Sequence, residues 1–265
     1  MAQEQKINSK DEGIQEDWRP LPFLGTSTLV GKILFCLRVI FDLRMNAVFV
    51  EAKKLLPTLK GRVLDVGCGA QPWRWMLSHC QYTGLEIYHS QEQFGYGEAS
   101  DTVYGDGKEF PFRDESFESM ICTEVLEHVV DSQRFLLSCQ RCLKKGGTLF
   151  LTVPFSARYH YIPYDYWRFT YSALKLLFQN AGFKQFTIQP LGTDVGVVIN
   201  KINVFIMKLL LPSRGQIFSR ALKMLIGLLF LPAFVLLTLL GLFSIRFKIG
   251  SFDDPLGYSV IAKKE

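Results

Sequence analysis

Short runs of consecutive apolar residues alternate, through the middle of the chain, with segments whose apolar residues recur at helical spacing. Continuous apolar runs predict strands that are buried on both faces, and a period near 3.6 residues predicts helices. Strands are predicted at 63–66, 82–87, 103–107, 119–122, 148–153, 184–190 and 257–262, with helices at 72–80, 132–143 and 173–181. This alternation predicts an α/β fold built on a doubly wound, mostly parallel sheet of seven strands.

Composition narrows the class of protein further. Hydrophobic residues make up 48% of the chain and charged residues 21%, so the chain is not disordered overall. The net charge is +5, but the basic residues cluster near an apolar C-terminal stretch. That placement favours a membrane surface over nucleic acid, for which no binding motif is present.

The six cysteines are scattered among the predicted strands and helices, which is typical of reduced thiols in a cytosolic protein. Cys139 and Cys142 form a Cys-x-x-Cys pair, but the pair lies in a helical pattern and lacks a second pair of ligands. We therefore expect no metal.

The first strand ends in an acidic, glycine-rich turn with the sequence Val-Leu-Asp-Val-Gly-Cys-Gly. Gly67 and Gly69 allow the backbone to bend and to approach a ligand, and Asp65 can accept hydrogen bonds from an amino-bearing ligand. Gln71-Pro72 replaces the third glycine of a dinucleotide site, which favours a ligand without a diphosphate. Glu86 and Asp106 end the next two strands, so all three carboxylates are expected at one edge of the sheet.

The ordered motifs resemble those of class I S-adenosylmethionine-dependent methyltransferases of the methyltransferase type 11 subgroup. They are Val-Leu-Asp-Val-Gly-Cys-Gly, Gly-Leu-Glu, Gly-Asp-Gly, Phe-Pro-Phe, Ser-Phe-Glu-Ser-Met-Ile-Cys-Thr-Glu-Val-Leu-Glu-His-Val and Leu-Lys-Lys-Gly-Gly. The resemblance covers 60–190 and implies a Rossmann-like fold with S-adenosylmethionine as cofactor. It implies the following roles: Asp65, Gly67 and Gly69 around the methionine part, Glu86 on the ribose, Asp106 and Gly107 at the adenine, and Thr123 and Glu124 beneath the sulfonium.

Transfer of a methyl group to a hydroxyl acceptor needs a base that takes the proton. His128 is the first candidate, because it follows the cofactor loop and histidine titrates near neutrality; a packing or capping role is the alternative. His160 and Asp165 are alternative bases.

The aromatic stretch 158–170 follows the fifth strand and is expected over the mouth of the cofactor site. Its Asp-Tyr-Trp-Arg-Phe-Thr run resembles a subgroup of these enzymes associated with cell-surface glycan biosynthesis. Aromatic faces can stack on sugar rings, and an arginine can bind a carboxylate or phosphate. The predicted substrate-binding residues are Tyr164, Tyr166, Trp167 and Arg168. The alternative is an aromatic lid that only excludes water.

The segment between the last two strands contains 222–245, which is almost entirely apolar and long enough to span a bilayer. One crossing would leave the last strand on the wrong side of the membrane, and Pro232 can break the segment into two short arms. Basic residues flank it: Arg214, Arg220 and Lys223 before, Arg246 and Lys248 after. We therefore predict a monotopic or re-entrant hairpin through 214–248 on the cytoplasmic side of a membrane. The alternative is packing against the domain or in a homodimer.

Five regions follow from these patterns: a flexible tail (1–28), a helical segment that packs on the core, rests on a membrane or covers the cofactor (29–60), the methyltransferase core (61–192), the apolar insert (193–250) and the closing strand (251–265). The predicted activity is S-adenosylmethionine-dependent methylation of a small molecule, glycan or lipid-linked saccharide at the membrane. The alternatives are methylation of an isoprenoid quinone or other lipid, and a non-catalytic cofactor-binding scaffold. No nucleic acid partner is expected.

Overall fold

The computed structural model describes residues 26, 28–88, 90, 101–105, 109–212 and 217–265. The strands are β1 (Arg62–Val66), β2 (Gln81–Ile87), β3 (Thr102–Gly105), β4 (Phe117–Thr123), β5 (Leu143–Pro154), β6 (Gln185–Leu191) and β7 (Gly257–Lys263). The α-helices in these ranges are α1 (Leu29–Phe41), α2 (Leu43–Leu55), α3 (Ser132–Cys142), α4 (Tyr171–Asn180), α5 (Asp194–Leu210), α6 (Ile217–Leu229) and α7 (Leu231–Phe247).

All seven strands form one sheet in the order β3-β2-β1-β4-β5-β7-β6. The first five strands in this order are parallel to one another, and β7 is antiparallel to both β5 and β6. The prediction of a mostly parallel, seven-stranded Rossmann-like sheet is therefore confirmed, and the last two strands, β6 and β7, are neighbours in it.

Helices cover both faces of the sheet, which explains the continuous apolar runs of its central strands. Along β1, Leu64 faces the core under α3 and α4, whereas Val63 faces the core under α1, α2 and α5. On β4, Cys122 faces the core under α3 and α4, and Ile121 faces the core under α1, α2 and α5. The face of the sheet to which Val63 points is covered by α1 and α2 of the N-terminal segment and by α5 of the insert. These three helices therefore form one layer.

Two local predictions were wrong. The predicted helix 72–80 is a 3₁₀ turn at Arg74–Leu77 only, because Trp73 is buried beneath it and its indole bonds to Thr123. The strand predicted at 148–153 begins earlier, at Leu143, so 145–147 lie inside β5, where the pairing with β4 shifts between Phe117 and Ser119.

The 29–60 segment forms two helices, α1 and α2, as the sequence allowed. Asp42 separates them: its carboxylate accepts the amides of Arg44 and Met45, each at 3.1 Å, and so caps α2. Phe41 at the end of α1 stacks on Phe234 of α7, with ring centroids 5.9 Å apart. The N-terminal helices therefore pack directly on the insert.

The insert differs from the predicted hairpin. The chain does not double back at Pro232; α6 and α7 form one rod bent by 54°, here called the α6–α7 rod. This rod returns along α5: Asn203 of α5 donates to the Thr238 hydroxyl at 3.0 Å, and a Cβ on Gly227 would lie 2.8 Å from the Leu210 amide nitrogen. The two arms of the hairpin are thus α5 and the rod.

Much of the outward surface of this layer is apolar. Exposed apolar side chains, here called the apolar surface, lie on α1, α6 and α7: Leu29, Val30, Ile33, Leu37, Leu225, Leu228, Leu229, Leu236, Leu239, Phe243 and Phe247. In the part of the chain that the structure describes, no single helix is long and apolar enough to cross a membrane. Only Ser219–Leu229 and Leu231–Phe247, taken together across their bend, reach that length and composition.

Candidate functional site

A cavity of about 670 Å³ lies at the carboxyl edge of the sheet, between the strand ends and the helices α2 and α5. This volume is within the range of small-molecule sites, roughly 300–1,000 Å³. Its lining includes 65–70 after β1, 85–87 of β2, 123–125 after β4, 156–158 after β5, and residues of α2 and α5. The cavity therefore occupies the place where ligands bind in open α/β sheets.

The glycine-rich turn has the conformation that its sequence demands. Gly67 and Gly69 both have positive φ angles, 68° and 47°. A Cβ on Gly67 would lie 2.4 Å from a methyl carbon of Val125, so this position has no room for a side chain. The backbone of the turn is thereby kept against the cavity.

Asp65 is the most deeply buried carboxyl group of the cavity wall, with 1% of its surface exposed. The Tyr82 hydroxyl donates a hydrogen bond to Oδ2 of Asp65 at 2.6 Å. Burial raises the pKa of Asp65 to about 7; the hydrogen bond from Tyr82 opposes this shift and the charge of Glu86 adds to it. A cationic ligand beside Asp65 would remove this cost.

Glu86 ends β2 beside the same turn. Its carboxylate accepts the Gly69 amide on Oε2 and the Ile87 amide on Oε1, each at 2.8 Å. Burial raises the pKa of Glu86, and these amide hydrogen bonds limit the rise. Each oxygen keeps a further lone pair, so the carboxylate can hold the turn and still accept ligand hydroxyls.

The predicted adenine contacts, Asp106 and Gly107, lie outside the described residues. Thr123 and Glu124 do line the cavity. The Thr123 hydroxyl accepts the indole N–H of Trp73 at 2.9 Å, a supporting contact that the sequence did not indicate. Glu124 has a positive φ of 56° and lies 3.0 Å from the Arg44 guanidinium.

Arg44 is a cavity residue that the sequence analysis did not assign to the site. It lies in the first turn of α2, and the nearby carboxylates of Glu124, Asp42 and Glu127 outweigh its burial and raise its pKa. Its only sequence signal is that it is one of several basic residues in a helical stretch with a periodic apolar pattern.

The three predicted bases have different environments. His128 and His160 both line the cavity, with ring centroids 5.0 Å apart. Burial and the neighbouring His160 lower the pKa of His128 to about 4, so this ring is neutral at physiological pH. Asp165 is not among the lining residues; despite burial, hydrogen bonds from Arg168 and His160 hold its pKa far below the usual range. Asp165 is therefore a weak base, and its position indicates that it orients His160.

The structure brings only one of the four predicted substrate residues to the cavity wall, namely Tyr164. Tyr166 and Trp167 are bound through their backbone amides to the Glu127 carbonyl, at 2.9 and 3.2 Å. The Arg168 guanidinium makes two 2.6 Å bonds to Asp165. Tyr166, Trp167 and Arg168 therefore hold the loop in place instead of lining the cavity.

Helix α5 supplies a wall of the cavity that the sequence analysis left unassigned. Asn200, Lys201, Val204, Phe205 and Lys208 line it. Periodicity could indicate that 194–210 is amphipathic, but only the tertiary structure shows which face meets the cavity.

Known proteins match this chain over its core. A family model described as a methyltransferase domain matches residues 64–151. A demethylmenaquinone methyltransferase of Listeria monocytogenes is 30% identical over 112 residues, 37% of this chain and 47% of that protein. A ubiquinone biosynthesis O-methyltransferase of Xanthomonas campestris is 35% identical over 118 residues, 39% of this chain and 46% of that protein. The chain thus matches about half the length of these curated relatives.

The fold also resembles that of solved methyltransferase structures. A solved structure of an S-adenosylmethionine-dependent methyltransferase from Archaeoglobus fulgidus superposes with a TM-score of 0.52 at 17% identity, covering 87% of this chain and 99% of that one. The family match identifies a methyltransferase domain over residues 64–151, and the sheet order and this superposition give the chain the fold of the class I S-adenosylmethionine-dependent methyltransferases. The predicted family, fold and cofactor are confirmed.

Proposed function

We propose that this protein transfers a methyl group to the head group of a phosphate-bearing, lipid-linked saccharide at the cytoplasmic face of a membrane. The observation that carries the proposal is the layout of the cavity. Acidic strand ends form one part of the lining, and helix α5, which packs against the apolar α6–α7 rod, forms another. One cavity can therefore hold a cationic cofactor and receive an acceptor from the membrane side.

The acidic wall fits the cofactor. When bound, S-adenosylmethionine supplies a methyl group that is activated by its sulfonium. Asp65 is placed to accept the ammonium of the methionine part, and Glu86 to accept the ribose hydroxyls. The buried carboxylate of Asp65 gains most from such a cation, because its own ionisation is costly in the empty cavity.

The two histidines in the cavity lining could take the proton of an acceptor hydroxyl. Transfer of the methyl group to a hydroxyl would release the hydroxyl proton, which a base of the protein must take. His128 and His160 line the cavity, and Asp165 contacts Nδ1 of His160 at 2.9 Å, which fixes the orientation of that ring. We assign His160 as the base and Asp165 as its positioning residue.

Two lysines favour an acceptor that carries phosphate. Lys201 and Lys208 are seven residues apart on α5, so they share one face of the helix, and both line the cavity. Ammonium groups bind phosphate oxygens through charge-assisted hydrogen bonds, whereas a neutral quinone ring offers no charge to match them. The alternative acceptor is an isoprenoid quinone, which is supported by the names of the relatives.

Methyl transfer can be tested on lipids. The purified protein is incubated with deuterium-labelled methyl donor and polar lipid extract, and mass spectrometry follows the label into saccharide-bearing or quinone fractions. We expect label in the phosphate-bearing fraction and loss of transfer in a Lys201→Gln, Lys208→Gln double variant with cofactor binding retained. Label in quinones alone would establish the alternative acceptor, and cofactor binding without any labelled product would indicate a scaffold.

The apolar surface provides the proposed membrane contact. Leu239 on α7 and Leu176 on α4 are both 58% exposed, but α4 covers the opposite face of the sheet. We expect Leu239→Asp to reduce flotation of the protein with anionic phospholipid vesicles, and Leu176→Asp to leave flotation unchanged. Equal flotation of both variants would contradict the contact. A mass of two chains in light scattering that Leu239→Asp halves would instead assign this surface to a homodimer.

A further inference from the structure

A cluster of three metal-ligating side chains lies beside the cavity: His128 and His160 line it, and Glu127 is fully buried and does not. Glu127 and His128 belong to a short 3₁₀ turn after β4, and His160 belongs to the loop after β5. One ligand atom from each of the three lies within 4.8 Å of the other two. The bonds from the Tyr166 and Trp167 amides to the Glu127 carbonyl hold the loop in this position.

Glu127 is fully buried, yet neither of its carboxylate oxygens has a hydrogen-bond partner among the described residues. The two carboxylates nearby do have cationic partners: Glu124 lies 3.0 Å from Arg44, and Asp165 bonds to Arg168. A buried carboxylate without such a partner is destabilising unless it binds a proton or a metal ion. The Arg44 charge acts on Glu127 without a hydrogen bond, so a proton or a metal ion bound to Glu127 would remove the remaining cost.

Both histidines are oriented as metal ligands usually are. Nδ1 of His128 lies 2.7 Å from the Tyr164 carbonyl, which can only accept, so Nδ1 carries the proton. Nε2 then holds the lone pair and lies 3.7 Å from Oε1 of Glu127. Nδ1 of His160 lies 2.9 Å from Oδ2 of Asp165. Metal-binding histidines almost always donate their second nitrogen to a carbonyl or a carboxylate in this way.

We propose that Glu127, His128 and His160 bind one divalent transition-metal ion whose remaining coordination positions face the cavity. Two imidazoles and one carboxylate suit Zn²⁺, Co²⁺, Mn²⁺ or Fe²⁺ and not Mg²⁺ or Ca²⁺, which prefer oxygen ligands. Three protein ligands leave open positions for water or an acceptor hydroxyl, as in catalytic metal sites. Such an ion would orient the hydroxyl and lower its pKa, and in the metal-bound protein this effect would take the place of His160 as the means of removing the proton. The sequence alone led us to expect no metal.

The test measures binding directly and needs no acceptor. Untagged protein is dialysed against a chelator, titrated with Co²⁺, and followed by visible absorption and by elemental analysis after desalting. We expect one equivalent of ion per chain with d–d absorption bands. In Glu127→Gln and His160→Gln the affinity should fall at least about tenfold. His79→Gln is the matched control, since His79 is exposed and contacts Leu59 outside the cavity.

Two results would overturn the proposal. One is parent protein that retains no ion and shows no Co²⁺ bands, which would mean that Glu127 is neutralised by a proton. The other is Co²⁺ affinity that is unchanged in both cluster variants. The parent measurements decide the question even if a variant fails to fold. Calorimetry with S-adenosylmethionine separates this proposal from the function, because cofactor binding should persist in metal-free protein.

Discussion

Asp65 is the position where stability and function should conflict most directly. Its carboxyl group is 1% exposed, and burial raises its pKa from 3.8 to about 7. We predict that Asp65→Asn stabilises the cofactor-free protein and weakens cofactor binding. Asparagine has the size of aspartate and keeps an oxygen that can accept the Tyr82 hydroxyl, so the change removes the ionisation and little else.

The magnitude follows from linkage. A pKa of about 7 in the folded state against 3.8 means that the folded protein binds more protons than the unfolded chain between these values. The free energy of unfolding therefore falls as the pH rises through that window and is constant above it. At 1.36 kcal/mol per pH unit, the full cost of ionised Asp65 is roughly 4 kcal/mol.

Urea denaturation followed by tryptophan fluorescence provides the assay. At about pH 8 the Asp65→Asn variant should have a free energy of unfolding roughly 2–4 kcal/mol above that of the parent, and near about pH 4 the two should agree. A variant less stable than the parent at about pH 8 would refute the reasoning, because it would mean that the ionised carboxylate is stabilised in the folded state.

Cofactor binding should change in the opposite direction. An ammonium ligand selects the ionised form, so the affinity of the parent should rise roughly tenfold per unit as the pH approaches about 7 and then level off. Asp65→Asn should lose about 10- to 100-fold in affinity and show a flat pH profile. Isothermal titration calorimetry measures both. A parent affinity that is independent of pH would remove Asp65 from the cofactor site.

Three further predictions concern neighbouring contacts. Gly67→Ala should abolish cofactor binding in calorimetry and lower the melting temperature, because its Cβ would lie 2.4 Å from Val125 and its φ is 68°. Tyr82→Phe should move the pH midpoint of cofactor binding upward, since it removes the hydrogen bond that limits the pKa of Asp65. Arg44→Gln should destabilise the fold by roughly 1–3 kcal/mol in denaturation, as Glu124, 21% exposed, loses its cation; adding Glu124→Gln should restore part of this.

The acidic strand ends could be predicted because parallel pairing makes them neighbours. Asp65 is in register with Gly84 of β2, and Val66 with Leu85, so Glu86 must end beside the glycine turn. A short apolar strand followed by an acid gives this result without knowledge of any loop. The same logic identified seven strands and the position of the insert.

The metal-ligating cluster could not be predicted in this way. His160 is 32 positions after His128 in the printed sequence, and the loop between β5 and α4 could take many paths. The observed path depends on bonds from two loop amides to the carbonyl of Glu127. Contacts of this kind depend on the exact backbone and have no sequence period.

The path of the insert could not be predicted from the hydrophobic pattern either. The 222–245 segment is apolar on all sides, so periodicity assigns it no inner face. Its inner face is set by partners elsewhere in the chain. A Cβ on Gly241 would lie 2.3 Å from a methyl carbon of Leu43, and a Cβ on Gly227 would meet the backbone of Leu210. Pro232 begins α7 near the bend, but these partners decide that the rod continues along α5 instead of folding back.

The place of the insert in the topology connects the proposed membrane contact to the cavity. β7 is antiparallel to β5 and β6, so the end of β6 and the start of β7 lie together, with Leu191 and Pro154 both opposite Gly257. That edge is the carboxyl end of the parallel strands, where Asp65 and Glu86 lie. An insert between β6 and β7 must therefore emerge beside the cofactor cavity. An acceptor held by lipid at the α6–α7 rod would need to pass only one helix, α5, to reach the methyl group.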